Sequence, residues 1–260
     1  MSGGWGPKDI TVVSAARIDP RDTAPNRVSL VRKHLEWQSH LDCPAIFVHL
    51  GIGSGLEYPK SKNLFVHEIE RSEWDESRAK NIGLAWVETP LVAFTNADTL
   101  ISASALYLTL KRCPPGSFIL QGYRWEIPRL VPVPLDLYAG ESSRERRHLL
   151  AEMIALSVPH AGGKLAMGEW QVCPTELARS IGGFDEGMKG YGGMDTDFHE
   201  RARAAALMAG GVEILTRDIP VLHQYHYAER PRSPNHERRY ANITRFLRER
   251  TPESLKWQPV

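Results

Sequence analysis

Carboxylates set among glycines give this chain its strongest chemical signal. Gly182-Gly183-Phe184-Asp185-Glu186-Gly187 leads into Gly190-Tyr191-Gly192-Gly193-Met194-Asp195-Thr196-Asp197. Glycines tolerate positive φ and let a backbone approach a ligand closely. Beyond Asp195, the residues Phe198, Ala202, Ala205, Ala206 and Ala209 recur at helical spacing, so Asp195 stands near a helix start. Two readings stay open for it there: a cap for that helix, or a carboxylate placed to take a proton. A second candidate is Asn96-Ala97-Asp98, directly after the apolar run Leu91-Val92-Ala93-Phe94. It offers a hard oxygen where a divalent cation sits beside phosphates. The third is His223-Gln224-Tyr225-His226, whose imidazoles complete a mixed oxygen and nitrogen set suited to manganese or serve as hydrogen-bonded strand-end histidines. One carboxylate at a metal and another on a loop suit sugar transfer from a nucleotide diphosphate. The cation neutralises the leaving diphosphate and the second carboxylate deprotonates the acceptor hydroxyl.

Such groups need a scaffold, and the order of elements supplies one. Residues 10–13 form a β-rich run, and Asn26 precedes Val28, Val31 and Leu35 at helical spacing. Strands are predicted at 45–50 and 64–66, a helix at 75–87 and a buried strand at 91–94. A helix at 102–111 and a strand at 118–122 follow, then a proline-rich loop over 127–137 carrying Pro128, Pro132 and Pro134. Further on come a helix at 144–156, a glycine-bearing connection at 161–164 and late strands at 212–216 and 221–223. A closing helix at 235–249 would place Tyr240, Ile243 and Phe246 on one face. Alternation of this kind predicts an α/β fold, a mostly parallel central sheet with helices on both faces. Ligands of open sheets bind beyond the carboxyl ends of strands, which is where Asp98 falls.

At 260 residues, with 42% hydrophobic and 24% charged, the chain is long enough to bury a full core as one domain. A net charge of +1 argues against nucleic acid as the main partner. The arginines of the last part are interleaved with glutamates, as on a solvated helix face. Cys43, Cys113 and Cys173 are scattered and odd in number, which fits reduced thiols better than a disulfide framework or a zinc cluster. No transmembrane run or signal-type apolar core is visible, so a cytoplasmic enzyme is expected.

The chain resembles the metal-dependent glycosyltransferases of the GT-A fold, a Rossmann-like nucleotide-diphospho-sugar transferase fold. It is most similar to their β-1,4-galactosyltransferase and chondroitin-polymerase type. Asn96-Ala97-Asp98 resembles the family's DxD motif, Gly190-Tyr191-Gly192-Gly193-Met194-Asp195-Thr196-Asp197 its G-W-G-G-E-D-x-D, and Gly182-Gly183-Phe184-Asp185-Glu186 its G-G-F-D-E approach. Ser77-Arg78-Ala79-Lys80-Asn81-Ile82-Gly83 is similar to its R-A-K or R-N-x-G helix, and His226 followed by Pro234-Asn235 to its late metal-binding histidine and P-N. The resemblance implies one domain over 1–260, with 10–100 binding the nucleotide and 101–260 binding the acceptor and completing the metal site. It further implies Asp195 as catalytic base and Asp98, His226 and His223 as ligands of Mn2+ or Mg2+. On the donor side it implies Arg78, Lys80, Asn96 and Arg17; around the acceptor, Tyr191, Gly192, Gly193, Met194 and Trp170, the last equally readable as a core residue. The partners implied are a UDP-sugar and a carbohydrate or other hydroxyl acceptor, with inversion at the anomeric carbon. Gly162-Gly163 and Arg230-Pro231-Arg232-Ser233-Pro234 are expected to order over the donor as a lid.

Three departures from the pattern matter. Asn96 stands for the usual first aspartate, Met194 for the glutamate beside the base, and His49-Leu50-Gly51 lacks the acid often found there to read uracil. Three alternatives therefore stay open: a retaining transferase, a nucleotidyltransferase on the same scaffold, or a non-catalytic nucleotide-sugar-binding module.

Overall fold

The computed structural model describes residues 4–18, 27–51, 56–70, 75–127, 158–159, 169–189, 192–224, 235–249 and 251–256. In chain order the elements are β1 (Ile10–Arg17), α1 (Arg27–Ser39), β2 (Ala45–Leu50), β3 (Leu64–Ile69), α2 (Glu76–Ala85), β4 (Leu91–Asn96), β5 (Thr99–Leu100) and α3 (Ala103–Arg112). They continue with β6 (Phe118–Glu126), β7 (Val158–Pro159), β8 (Gln171–Pro174), α4 (Thr175–Ser180), α5 (Met194–Met208), β9 (Val212–His223) and α6 (His236–Glu249).

The first strands are apolar on both sides, and alternation of side chains divides them between two cores. Val12, Phe47, Leu91 and Ala93 join Val31, Leu35 and Trp37 of α1 and Leu106 and Leu110 of α3 on one face. Val13, Ile46, Val48, Val92 and Phe94 meet Ala79 and Leu84 of α2, Leu177 of α4, and Phe198 and Ala202 of α5 on the other. At the centre of the second core Phe184 stacks on Phe198 with centroids 4.4 Å apart, and Phe94 meets both edge-on at 4.9 and 5.1 Å. Helices thus cover both faces, as expected from the sequence.

The sheet runs β3-β2-β1-β4-β8-β6-β9-β5, with β7 beside β6. From β3 to β4 every pairing is parallel. Beyond β4 the sheet is mixed. Strand β8 is antiparallel to both β4 and β6, β9 is parallel to β6, and β5 is antiparallel to β9. Strands β5 and β8 have two and four residues, too few for period-two alternation to announce them. The two late strands expected at 212–216 and 221–223 are one continuous strand. In α6, Tyr240 is 62% exposed rather than packed inward, Ile243 is half-buried and Asn242 is buried, while the side chain of Phe246 lies outside the described residues. The expected helix at 144–156, most of the loop at 127–137, the connection at 161–164 and the lid segment at 230–234 lie outside the described residues. No helix among the described residues is long and apolar enough to cross a membrane.

Helix α1 is tied to the short strand β5 by a buried histidine. His34 is fully buried, its Nδ1–H donating to the Thr99 carbonyl at 2.7 Å. Burial pushes its pKa down to about 4 despite that bond. The folded value lies below the unfolded one, near 6.5. The stability that neutral His34 contributes is therefore complete above roughly pH 6.5 and is lost as pH falls through about 4. The loss attributable to this ring is at most about 3 kcal/mol. Denaturant unfolding of the wild type and of His34→Gln, followed from pH 7 to pH 4, should show the wild type losing that much more than the variant; parallel curves would contradict a neutral buried ring.

Candidate active site

Helix α2 begins behind Asp75, whose Oδ1 accepts from the Arg78 backbone N–H at 3.0 Å. Within the helix Lys80 turns inward and is fully buried. Its Nζ donates to Asp195 Oδ1 at 2.7 Å, to Glu76 Oε1 at 2.7 Å and to Asn96 Oδ1 at 3.0 Å, which uses all three ammonium protons. It also lies 5.0 Å from the Phe184 ring centroid. Burial works against the charge, but Asp195 and Glu76 outweigh it and hold Lys80 above the usual lysine range. Burial raises Glu76 against the pull of Lys80, and the nearby charge of Asp195 adds to the rise. The glycine-rich run, the Asn96-Ala97-Asp98 corner and α2 therefore meet on one cation.

The rest of Ser77 to Gly83 does similar work. Asn81 accepts from Phe184 N at 2.8 Å and donates to Phe184 O at 2.9 Å, fastening the start of the glycine-rich run. Gly183 there has φ +69°, and a Cβ on it would come within 2.2 Å of Asn81 Oδ1. At Gly83 a Cβ would lie 2.4 Å from Val13 Cγ1, so the missing side chain lets α2 pack closely on β1. Helix α5 is capped by Gly193 at φ +92° with no side-chain capping bond, and Asp195 spends its Oδ1 on Lys80. The cap reading of Asp195 is thereby set aside. Its side chain keeps 17% exposure.

Strand pairing brings the second and third motifs together. Thr99 of β5 faces His223 of β9, and Gln224 N donates to Asp98 O at 2.8 Å. His223 Nε2 then stands 3.3 Å from Asp98 Oδ2 and its Nδ1 stands 2.9 Å from Glu126 Oε2. Burial opposes the charged ring, yet Asp98 and Glu126 outweigh it and push His223 up to about 9. Glu126, at the end of β6, falls to about 2: burial raises it, but His223 and Arg124 pull it down further. Arg124 also pairs with buried Glu169, which burial pushes up to about 7 against that arginine. A carboxylate oxygen beside an imidazole nitrogen is the donor set of a manganese-type ion, once the ring releases a proton. Among the described residues no three His, Cys, Asp or Glu side chains are placed to hold a metal; Asp98 and His223 present one oxygen and one nitrogen. His226 lies outside the described residues.

Other expected residues fall in different surroundings. Lys80 has no free donor for a diphosphate, and Arg78 is exposed on the outer side of α2. Trp170 is fully buried, its Nε1 donating to Thr109 Oγ1 at 3.1 Å; it is a core residue and cannot stack on an acceptor. Met194 is 1% exposed and packs in the second core, so it does not face an acceptor either. Gly192 and Gly193 lead into Asp195 as expected, Arg17 ends β1 beside Leu50 of β2, and Tyr191 lies outside the described residues. Beside 49–51, β3 brings an acid close to His49. Glu68 accepts from Tyr58 OH at 2.5 Å, and His49 Nδ1 lies 2.9 Å from that hydroxyl. His49 is buried, and its Nε2 has no hydrogen-bond partner among the described residues. Sequence reasoning missed Glu76, Glu126 and Glu169, of which only Glu76, four residues before Lys80, carried a readable signal; Asn81 was visible in its motif but had no role assigned.

No protein-family model and no curated protein sequence matches the chain. Solved structures do. Residues 1–349 of S. aureus TarS, in complex with UDP-GlcNAc, match with TM-score 0.53 at 15% identity over 85% of this chain and 60% of that one. GalNAc-T7 with UDP, GalNAc and Mn2+ matches with TM-score 0.54 at 14% identity over 90% of this chain and 48% of that one. The fold is GT-A. At these identities the likeness carries the fold alone, and the chain spans about half to three fifths of the proteins it matches.

The GT-A core here is pinned by Lys80, whose removal is testable. Lys80→Met leaves Glu76 and Asp195 facing each other with no cation, and removing one partner of a buried pair costs about 3 to 5 kcal/mol. Lys80→Met combined with Glu76→Gln should recover part of it. Denaturant midpoints of the single and double variants check this, and a loss below about 1 kcal/mol in Lys80→Met would show that the cluster is not holding the fold.

Proposed function

We propose that the chain is an inverting glycosyltransferase that moves a hexose or N-acetylhexosamine from a UDP-sugar to an acceptor hydroxyl. The carrying observation is the position of Asp195. It sits in the first turn of α5 with Oδ1 fixed by Lys80, while Oδ2 makes no hydrogen bond among the described residues. Through Lys80 and Asn96 it is linked to the corner that holds Asp98. A carboxylate with one oxygen tied and the other open is suited to act as general base. In that role Asp195 takes the hydroxyl proton as the acceptor oxygen bonds to the anomeric carbon. The bond from that carbon to the diphosphate oxygen breaks, and UDP leaves with the electron pair.

Asp98 and His223, with His226, would hold Mn2+ or Mg2+, which supplies positive charge to neutralise the leaving diphosphate. The Mn2+ bound with UDP in GalNAc-T7 supports that assignment. Arg17 and Asn96 belong to the donor side and Gly192 and Gly193 to the acceptor side, residues 10–100 forming the nucleotide part and 101–260 the acceptor part. Three buried free cysteines support a reducing, cytoplasmic setting.

A donor screen with Mn2+ that reads release of UDP or GDP tests this directly. Asp195→Asn should cut turnover by about a hundredfold or more while UDP affinity stays within about twofold. Chelation should silence the protein, and calorimetry should detect Mn2+ binding with UDP that Asp98→Ala abolishes. Nucleotide binding without release from any donor would select the non-catalytic module; a retained anomeric configuration or release of pyrophosphate would select the other transferases.

A further inference from the structure

The glycine-rich run that carries Asp195 cannot position it unaided. Gly182, Gly183, Gly192 and Gly193 all have positive φ, and glycine loses more backbone freedom on ordering than any other residue. The run borrows its order from α6. Asn235, 4% exposed and just before that helix, donates through Nδ2 to Gly192 O at 2.7 Å and to Lys189 O at 3.1 Å. Its Oδ1 accepts from Lys189 N at 3.1 Å. One turn on, Arg238 donates to both oxygens of fully buried Asp185, at 2.6 and 2.7 Å. A further turn on, Asn242 Nδ2 reaches Asp185 at 2.9 Å and Asp197 at 2.8 Å. Positions 235, 238 and 242 share one helix face, so a single polar stripe grips the run at Asp185, at Lys189 and Gly192, and at Asp197.

We propose that Asn235 is a positioning residue: its amide fixes the backbone next to Gly193 and thereby the place of Asp195. The role rests on the reading of Asp195 as catalytic base. Only an amide can serve here, since it must donate to two carbonyls and accept from one N–H. An aspartate has nearly the same shape but would turn a carboxylate toward the carbonyls of Lys189 and Gly192. A role in packing alone would tolerate that change; a role in hydrogen bonding would not.

The test compares wild type, Asn235→Ala, Asn235→Asp and Asp195→Asn in the full chain, with UDP and Mn2+ as binding probe and UDP-GlcNAc as hydrolysis probe. Hydrogen exchange at Gly192, Gly193 and the first turn of α5 should accelerate at least about tenfold in both Asn235 variants, while the amides of β1 and β4 stay protected. Turnover should fall about a hundredfold with KM and UDP affinity within about twofold, since small misplacements of a catalytic group cost rate rather than binding. Asn235→Asp should be no better than Asn235→Ala. Unchanged exchange around Gly192, or an Asn235→Asp variant equal to wild type, overturns the proposal. Full turnover in Asp195→Asn, with faster exchange in Asn235→Ala, would instead retire Asp195 as base and leave Asn235 as the holder of the run. Exchange decides the holding role even if UDP-GlcNAc is not a substrate.

Discussion

One buried ammonium organises this molecule. A lysine with no exposure and three acceptors within 3.0 Å must keep every one of those partners in place, because a charge stranded in the interior costs several kcal/mol. Its partners come from its own helix, from the end of β4 and from the start of α5. The constraint therefore spans the second core, and the aromatic packing of Phe184, Phe198 and Phe94 beneath it fixes how near these elements approach. The proposed base inherits its position from this arrangement. Electrostatics at the mouth of the sheet and packing at its centre are in this sense one interaction.

A second constraint is topological. Two residues of strand, Thr99 and Leu100, return against the end of β9, and that return is what sets Asp98 beside His223. A different connection after β4 would leave the two motifs on separate edges. Buried His34 anchors the same residues from the opposite face through Thr99 O. Thus each side of the candidate site is held by a group in the hydrophobic interior, Lys80 on one core and His34 on the other. Preorganisation of this kind lets a site carry charged groups without collapsing onto them.

Much of the scaffold was legible from residues alone. Strand β2 spans the residues its pattern predicted, and α2, β4, α3 and α6 begin within a residue of theirs, because apolar periodicity and caps such as Asp75 and Ser102 mark them. The roles of Asp98 and His223 as neighbours followed from motif resemblance, and the pairing of β5 with β9 explains it. What residue patterns did not carry was the direction of side chains. Lys80 and Arg78 are two positions apart on one helix and so point to nearly opposite sides, one buried and one exposed. Trp170 and Met194 lie beside the site in sequence, yet each points into a core. The polar face of α6 was hidden for the same reason: its arginines suggest a solvated surface until Asp185 and Glu200 are seen opposite them.

The asparagine at 96 follows from the same cation. Glu76 and Asp195 already place two acidic groups on Lys80, and Glu76 is raised by burial and by the repulsion of Asp195 despite the ammonium. A third carboxylate at 96 would bring a further negative charge to a cluster in excess of negative charge, in surroundings where like charges repel strongly. An amide supplies the same acceptor oxygen for the third lysine proton without that charge. Asn96 is thus the residue that a lysine shared between two acids requires at the end of β4. The departure from an all-acidic corner reflects how the proposed base is held, while Asp98, two residues on, faces His223.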